Sequence, residues 1–237
     1  MSNYRPARHL VLSLALGATV VAGASLSAAA AKNPTANSVL KAVQRAMSHE
    51  SSVHISVTSS SGTTHSTATV DIGKTGGTET YTSGTSHVSI VVTPKSAFLS
   101  GNASGLISLV GLTAAQQKLV GTKSIEMKAG TSPYASFQSN LTTSAFAAFL
   151  PTSKSLTLSR DKAHHYVLTW ITKATSSAPQ VTSTLTISSG AKSLPLKEVA
   201  SAKTGGGTTI FSKWGESVPT PTPPASSTIP YATVSKG

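Results

Sequence analysis

The spacing of apolar residues changes at about residue 51. Between Ala36 and Met47 they recur at steps of three and four, which is the period of one helix face. Pro34 and Thr35 are start signals for this helix. From Val53 onward apolar and polar residues alternate, and short runs of alternation are separated by turns rich in Gly and Ser. This pattern predicts one helix followed by a meander of antiparallel strands.

The middle of the chain interrupts the alternation with an unusually apolar stretch from Leu106 to Leu112. Thr113 is an expected N-cap for a short helix, and further helices are predicted over 133–140 and from Thr143 or Ser144 to Pro151. Strands resume at Leu156 and continue to Lys213, with Gly190 and Gly205–Gly207 expected at hairpin turns.

The predicted fold class is therefore α+β. We expect a long antiparallel sheet, which must twist and curl because of its length. The N-terminal helix and the short helical insertion carry apolar faces that need cover, so we expect them on the concave face of the sheet.

Both ends of the chain differ from this central domain. Residues 1–31 read as a secretory signal, because Arg5 and Arg8 precede an uncharged stretch that ends in the small residues Ala29–Ala31. The same stretch is long enough for an uncleaved membrane anchor. Residues 218–237 are rich in Pro, Thr and Ser and are predicted to form a flexible tail. Residues 32–217 remain as one domain, expected in the cell envelope or outside the cell.

Composition narrows the classes of partner. The chain has no cysteine, so disulfides and a lipid-modified cysteine are both excluded. Its net charge is +12, but the lysines are scattered and no Lys/Arg run with interleaved aromatic residues occurs. This argues against nucleic acid as a partner. A diffuse positive charge on an exported protein fits attraction to an anionic envelope surface better than binding to nucleic acid, and the alternative is a solvated surface without a partner.

One motif set suggests an enzyme, a serine acyl-transferase. Its elements occur in the expected order as Ser38-Val39-Leu40-Lys41, Ser100-Gly101-Asn102 and Lys203-Thr204-Gly205. The first element recurs elsewhere in this serine-rich chain, and Lys74-Thr75-Gly76 repeats the last. The motif therefore carries little weight, and we expect a protein without catalytic activity.

Metal and acid–base chemistry receive no better support from the sequence. His54, His65 and His87 fall on separate predicted strands, with no acidic cluster beside them. The carboxylates are too few and too scattered to nominate a catalytic pair. We therefore expect neither a metal site nor a cofactor.

Several short segments carry a resemblance to a known family. They are the end of the first helix before Ser52-Val53-His54-Ile55, the step Phe98-Leu99-Ser100-Gly101-Asn102, the segments Ser132–Phe137 and Leu141-Thr142, and the ending Phe211–Val218. In this order they resemble the LppX/LprG-like envelope proteins of actinobacteria, which share a half-barrel fold with the LolA carrier. The resemblance implies a hydrophobic cavity between sheet and helices that holds acyl chains. The chain departs from the family pattern because it lacks the lipobox cysteine and has serines at some apolar positions.

The sequence therefore predicts an exported envelope protein that binds or carries a lipid, or another hydrophobic small molecule, in a half-barrel. The alternative is a structural or protein-interaction module of the envelope that holds no ligand. The residues expected to line the lipid cavity are Ile90, Val92, Leu106, Leu109, Leu112, Phe137, Phe146 and Phe149.

Overall fold

The computed structural model describes residues 34–151, 155–175 and 179–237, so the predicted signal at 1–31 lies outside the described residues. The α-helices are α1 (Ala36–Ser48), α2 (Ala103–Ser108), α3 (Ala114–Val120), α4 (Ser132–Asn140) and α5 (Tyr231–Val234). Short 3₁₀ helices span Thr143–Phe149 and Ala225–Ser227. The strands are β1 (Ser52–Ser61), β2 (Thr64–Gly73), β3 (Gly77–Ser83), β4 (Ser86–Val92), β5 (Ser96–Gly101), β6 (Ser124–Lys128), β7 (Thr157–Arg160), β8 (Tyr166–Thr172), β9 (Val181–Ile187), β10 (Pro195–Ala202), β11 (Gly205–Ser212) and β12 (Thr228–Pro230).

All of these strands belong to one open sheet of twelve strands, in the order β12-β6-β5-β4-β3-β2-β1-β11-β10-β9-β8-β7. Neighbouring strands are antiparallel except β12, which runs parallel to β6 at one edge. Strand β1 is central, because it pairs with β2 on one side and with β11 on the other. The sheet is curved and not closed, and the predicted α+β half-barrel is confirmed.

One face of the sheet carries the core. Along β1, Val53 and Ile55 are buried, and their cross-strand partners Ile72, Val70 and Phe211 are buried beside them. Helix α1 adds Val39, Val43 and Met47 to the same core. Its first turn is fixed by Thr35, whose hydroxyl accepts a hydrogen bond from the backbone N–H of Ser38 at 3.2 Å.

The helical insertion is held to the sheet by a cap and a glycine. The Asn102 side chain accepts from the N–H of Gly105 at 2.8 Å and donates to the Thr85 carbonyl at 2.7 Å, so it joins α2 to the β3–β4 turn. A side chain at Gly105 would place its Cβ 2.2 Å from the His87 carbonyl oxygen. Only glycine allows α2 to approach β4 this closely.

Helix α3 follows with the N-cap that the sequence predicts. The hydroxyl of Thr113 accepts from the N–H of Gln116, and the Gln116 side chain accepts from the N–H of Thr113. This reciprocal pair is a capping box, which satisfies two backbone donors at the start of the helix.

Aromatic contacts fix the 3₁₀ helix Thr143–Phe149 against the sheet. The rings of Phe146 and Trp214 meet edge to face at 5.6 Å, and Phe149 meets Phe211 in the same way at 5.7 Å. The indole N–H of Trp214 donates to the Pro195 carbonyl at 3.1 Å. These contacts attach the 3₁₀ helix to β11 and to the segment that follows it, which is in turn bonded to β10.

Two expectations about local structure need correction. The glycines Gly205–Gly207 lie within β11 rather than in the preceding turn, and they pair with Ser61–Ser59 of β1. A Cβ at Gly205 would lie 2.1 Å from the Ser60 carbonyl oxygen, so close strand approach explains this glycine.

The C-terminal segment is also different from the extended tail that its prolines suggest. Residues Thr228–Pro230 pair with β6, and Ile229 and Val234 are buried. The physical reason is that these two apolar side chains find cover at the edge of β6. The proline at the end of β12 is tolerated because β12 is an edge strand. Among the described residues, no helix is long and apolar enough to cross a membrane.

The approach of α4 to the sheet gives a test of the packing. At Gly77 an added Cβ would lie 2.2 Å from the Asp71 carbonyl oxygen and 2.7 Å from that of Leu141. We expect Gly77→Ala to lower the free energy of unfolding by at least about 2 kcal/mol, because backbone on both sides must shift. Urea unfolding measures this change. Gly190→Ala is the control, because its Cβ meets open space, and a comparable loss there would contradict the explanation.

Candidate functional site

A hollow of about 430 Å³ lies on the concave face, at the end of the sheet away from α1. Its walls come from β1, β2 and β3 on one side and from β9, β10 and β11 on the other. Val57, Ala68, Tyr81, Val181 and Ala200 supply the apolar part of the lining. Ser59 and Ser66 supply hydroxyl groups.

The hollow exists because a cross-strand row of small residues occupies this part of the inner face. The register aligns Ser83, Ser66, Ser59, Gly207, Ala200 and Ser183 across six neighbouring strands. Short side chains cannot fill the space enclosed by the curved sheet. Ser66 donates a hydrogen bond to Ser83 at 2.9 Å, so part of this polar lining is internally satisfied.

The next row toward the core is mostly apolar and contains one carboxyl group. It aligns Tyr81, Ala68, Val57, Thr209 and Glu198. Three of these residues line the hollow, and Glu198 stands beyond Thr209 on the same face. Its other neighbour is Leu185, which is fully buried. Burial raises the pKa of Glu198 to about 7.

The third row contains a more deeply buried carboxyl group. It aligns Ile90, Glu79, Val70, Ile55 and Phe211, so Glu79 is the polar member of an apolar row. Glu79 is only 4% exposed, and its Oε1 has no hydrogen-bond partner. Burial raises the pKa of Glu79 to about 7, since a charged carboxylate is poorly solvated there.

The eight residues expected to line a lipid cavity lie at the helix-covered end of the domain. Five of them are buried in the hydrophobic core, namely Ile90, Val92, Leu106, Leu112 and Phe146. The other three, Leu109, Phe137 and Phe149, are partly buried and pack against that core. None of the eight is among the residues that line the hollow of about 430 Å³.

The residues of the acyl-transferase motif do not meet. Ser38 and Lys41 are exposed on α1, and the Ser38 hydroxyl donates to the Thr35 carbonyl at 2.8 Å as part of the helix start. Lys203 lies in the β10–β11 turn, beside Gly62 at the far end of β1. A strand of this length separates the two places by roughly 30 Å.

The histidines do not converge either. His54 pairs with Asp71 at 2.7 Å on the outer face of the sheet, and His87 contacts the Thr82 hydroxyl at 3.3 Å. Within the described ranges, no group of three His, Asp or Glu side chains is placed to hold a metal ion.

Comparison with known proteins places this geometry in context. No family model matches the sequence, and no curated protein matches it. LprF from Mycobacterium bovis is similar in structure, with 14% identity, a TM-score of 0.41 and coverage of 78% of this chain and 95% of that chain. The Mycobacterium tuberculosis lipoprotein LppX is similar with 12% identity, a TM-score of 0.43 and coverage of 79% and 100%. Both proteins are of the LppX/LprG-like group that the sequence motifs resemble, and the likeness concerns the fold alone.

The sequence interpretation missed the residues around the hollow, including Val57, Ala68, Tyr81, Glu79 and Glu198. A signal for Glu79 was present, because the alternation Gly77-Glu79-Tyr81 against Thr78-Thr80-Thr82 places the carboxyl on the apolar face. The sequence signal for the hollow was weaker, because the hollow depends on which small residues become neighbours across the strands.

The buried carboxyl predicts how stability depends on pH. The pKa of Glu79 is 4.5 in its ordinary state and about 7 when folded, so the folded protein holds this proton more tightly. The stabilisation of the folded state by this bound proton is complete below about pH 4.5 and is lost as pH rises through about 7. For one group the loss is about 3 kcal/mol.

Between about pH 4.5 and pH 8 we expect the free energy of unfolding of the wild type to fall by about 3 kcal/mol more than that of Glu79→Gln, because the variant lacks this titrating group. Urea unfolding at both pH values measures this difference. Glu216→Gln is the matched control, because Glu216 is exposed. Equal pH profiles for Glu79→Gln and the wild type would contradict the assigned burial.

Proposed function

We propose that the protein is an exported envelope protein that binds an acyl chain or another hydrophobic small molecule in the hollow on its concave face. The observation that supports this most strongly is the hollow itself. Its volume of about 430 Å³ is within the range of small-molecule sites, and its lining combines apolar walls with a few hydroxyl groups.

The expected affinity follows from burial of methylene groups. Each CH₂ removed from water contributes about 0.8 kcal/mol, so six of them contribute about 5 kcal/mol before the cost of ordering the chain. Ser59 and Ser66 add hydrogen-bond donors and acceptors to the lining at the end of the hollow that faces away from the core.

The charge of the protein suits the same role. The net charge is +12 and the lysines are distributed over the chain, so the surface favours anionic envelope surfaces without a specific basic patch. A carrier that meets such surfaces would deliver or collect its ligand there. The signal-like residues 1–31 support export, with the protein either released or tethered by that segment.

A second function is favoured by one observation. The helix-covered half of the concave face is filled with side chains, including Leu106 and Phe146, which are at most 5% exposed. A filled half-barrel is what a ligand-free structural or protein-interaction module of the envelope would show. The two functions differ in one respect: a lipid-binding protein holds an acyl chain in the hollow, and a ligand-free module does not.

A variant that fills the hollow separates them. Ala202 lines it and is half-buried, so Ala202→Phe would occupy the space without entering the core. We expect this variant to bind a fluorescent acyl probe at least about tenfold more weakly than the wild type, measured by titration, which is a change of about 1.4 kcal/mol.

Ala163→Phe is the matched control, because Ala163 is exposed in a turn away from the hollow. Thermal unfolding of both variants checks that the fold is kept. Wild-type protein that binds no acyl probe would favour the interaction module. Binding that survives Ala202→Phe unchanged would place the ligand elsewhere and reject the hollow as its site.

A further inference from the structure

Glu79, whose Oε1 has no hydrogen-bond partner, lies one cross-strand row toward the core from residues that line the hollow. On β3 it is two residues from Tyr81, and on β2 its cross-strand neighbour Val70 is two residues from Ala68. Both Tyr81 and Ala68 line the hollow. Residues two apart on a strand are roughly 7 Å apart, so Glu79 lies about that far along β3 from the lining residue Tyr81.

A buried polar atom without a partner costs free energy in the unliganded protein. The Oε1 of Glu79 is such an atom, with the apolar residues Val70 and Ile90 as its cross-strand neighbours. A ligand that donates a hydrogen bond to this oxygen would remove the cost.

The inner face is also opposite in charge to the rest of the protein. Glu79 and Glu198 both occupy inward positions, on strands that flank the hollow from opposite sides. Among the described inward positions of β1–β5 and β8–β11, none is Lys, Arg or His. Arg160 of β7 is inward but donates to the His164 carbonyl and the Tyr166 hydroxyl.

We propose that the hollow selects an amphiphile whose head group is a protonated primary amine, with Glu79 as its acceptor and Glu198 as a second acceptor on the facing wall. An alkylammonium group donates hydrogen bonds and accepts none, which matches a carboxylate that accepts only. A fatty-acid anion would instead bring a third negative charge to the same face. This inference rests on the proposed function, because it assumes that the hollow takes an alkyl chain.

Three probes with the same alkyl chain test the selection, namely dodecylamine, dodecanol and dodecanoate. Each is titrated into the full-length protein at pH 8 and below its aggregation concentration, by isothermal titration calorimetry. We expect dodecylamine to bind at least about tenfold more tightly than dodecanol, because a charge-assisted hydrogen bond replaces a neutral one. Dodecanoate should bind most weakly.

Glu79→Gln keeps the shape of the side chain and removes its charge. We expect this variant to lose the preference for dodecylamine while its affinity for dodecanol changes less than about twofold. Glu198→Gln should reduce the preference in part. Glu216→Gln, at an exposed position, is the control for the loss of one negative charge and should keep the full preference.

The outcomes separate this inference from the proposed function. Equal affinity for dodecylamine and dodecanol, or a preference that survives Glu79→Gln, overturns the amine selection and leaves the acyl site intact. Failure of all three probes to bind overturns the proposed function together with it.

Discussion

The pairing of β1 with β11 is the constraint on which the rest of the structure depends. It aligns His54–Ser61 with Ser212–Gly205 and joins the first half of the sheet to the last. Without it the chain would form two separate sheets with unpaired edges. The pairing brings together segments about 150 residues apart, so it carries a large loop-closure cost and is expected to form late in folding. It also places Val57 beside Thr209, whose neighbour on β10 is Glu198, and so joins the two walls of the hollow.

Side-chain size along the inner face explains why one end is filled and the other is hollow. Rows near the helices carry Ile, Leu, Val and Phe, and α1, α2 and the 3₁₀ helix Thr143–Phe149 pack on them. The row through Ser59, Gly207 and Ala200 carries small groups, and the sheet encloses more space there than they occupy. The small residues of this row therefore account for the open space at the end of the sheet away from α1.

Much of the fold was predictable because its local signals agree with one another. The period of α1, the cap at Thr113 and the alternation in β1, β2 and β4 all match the structure. The C-terminal pairing was not predictable, because Ile229 and Val234 give no periodic signal of their own and find cover only at the edge of β6. The hollow depends on register between distant strands, which composition and periodicity do not report. Glu79 could be placed on the inner face by alternation, but its lack of a partner is a property of the folded state.

In the proposed function, the ligand enters the serine-lined end of the half-barrel and not the helix-covered end. Nuclear magnetic resonance of the isotope-labelled protein with a spin-labelled acyl chain tests it most directly, because a bound radical broadens the signals of nearby residues. We expect broadening at Ser59, Ser66 and Ala200, which line the hollow. Broadening centred on Leu106 and Phe146, in the filled half of the core, would contradict it.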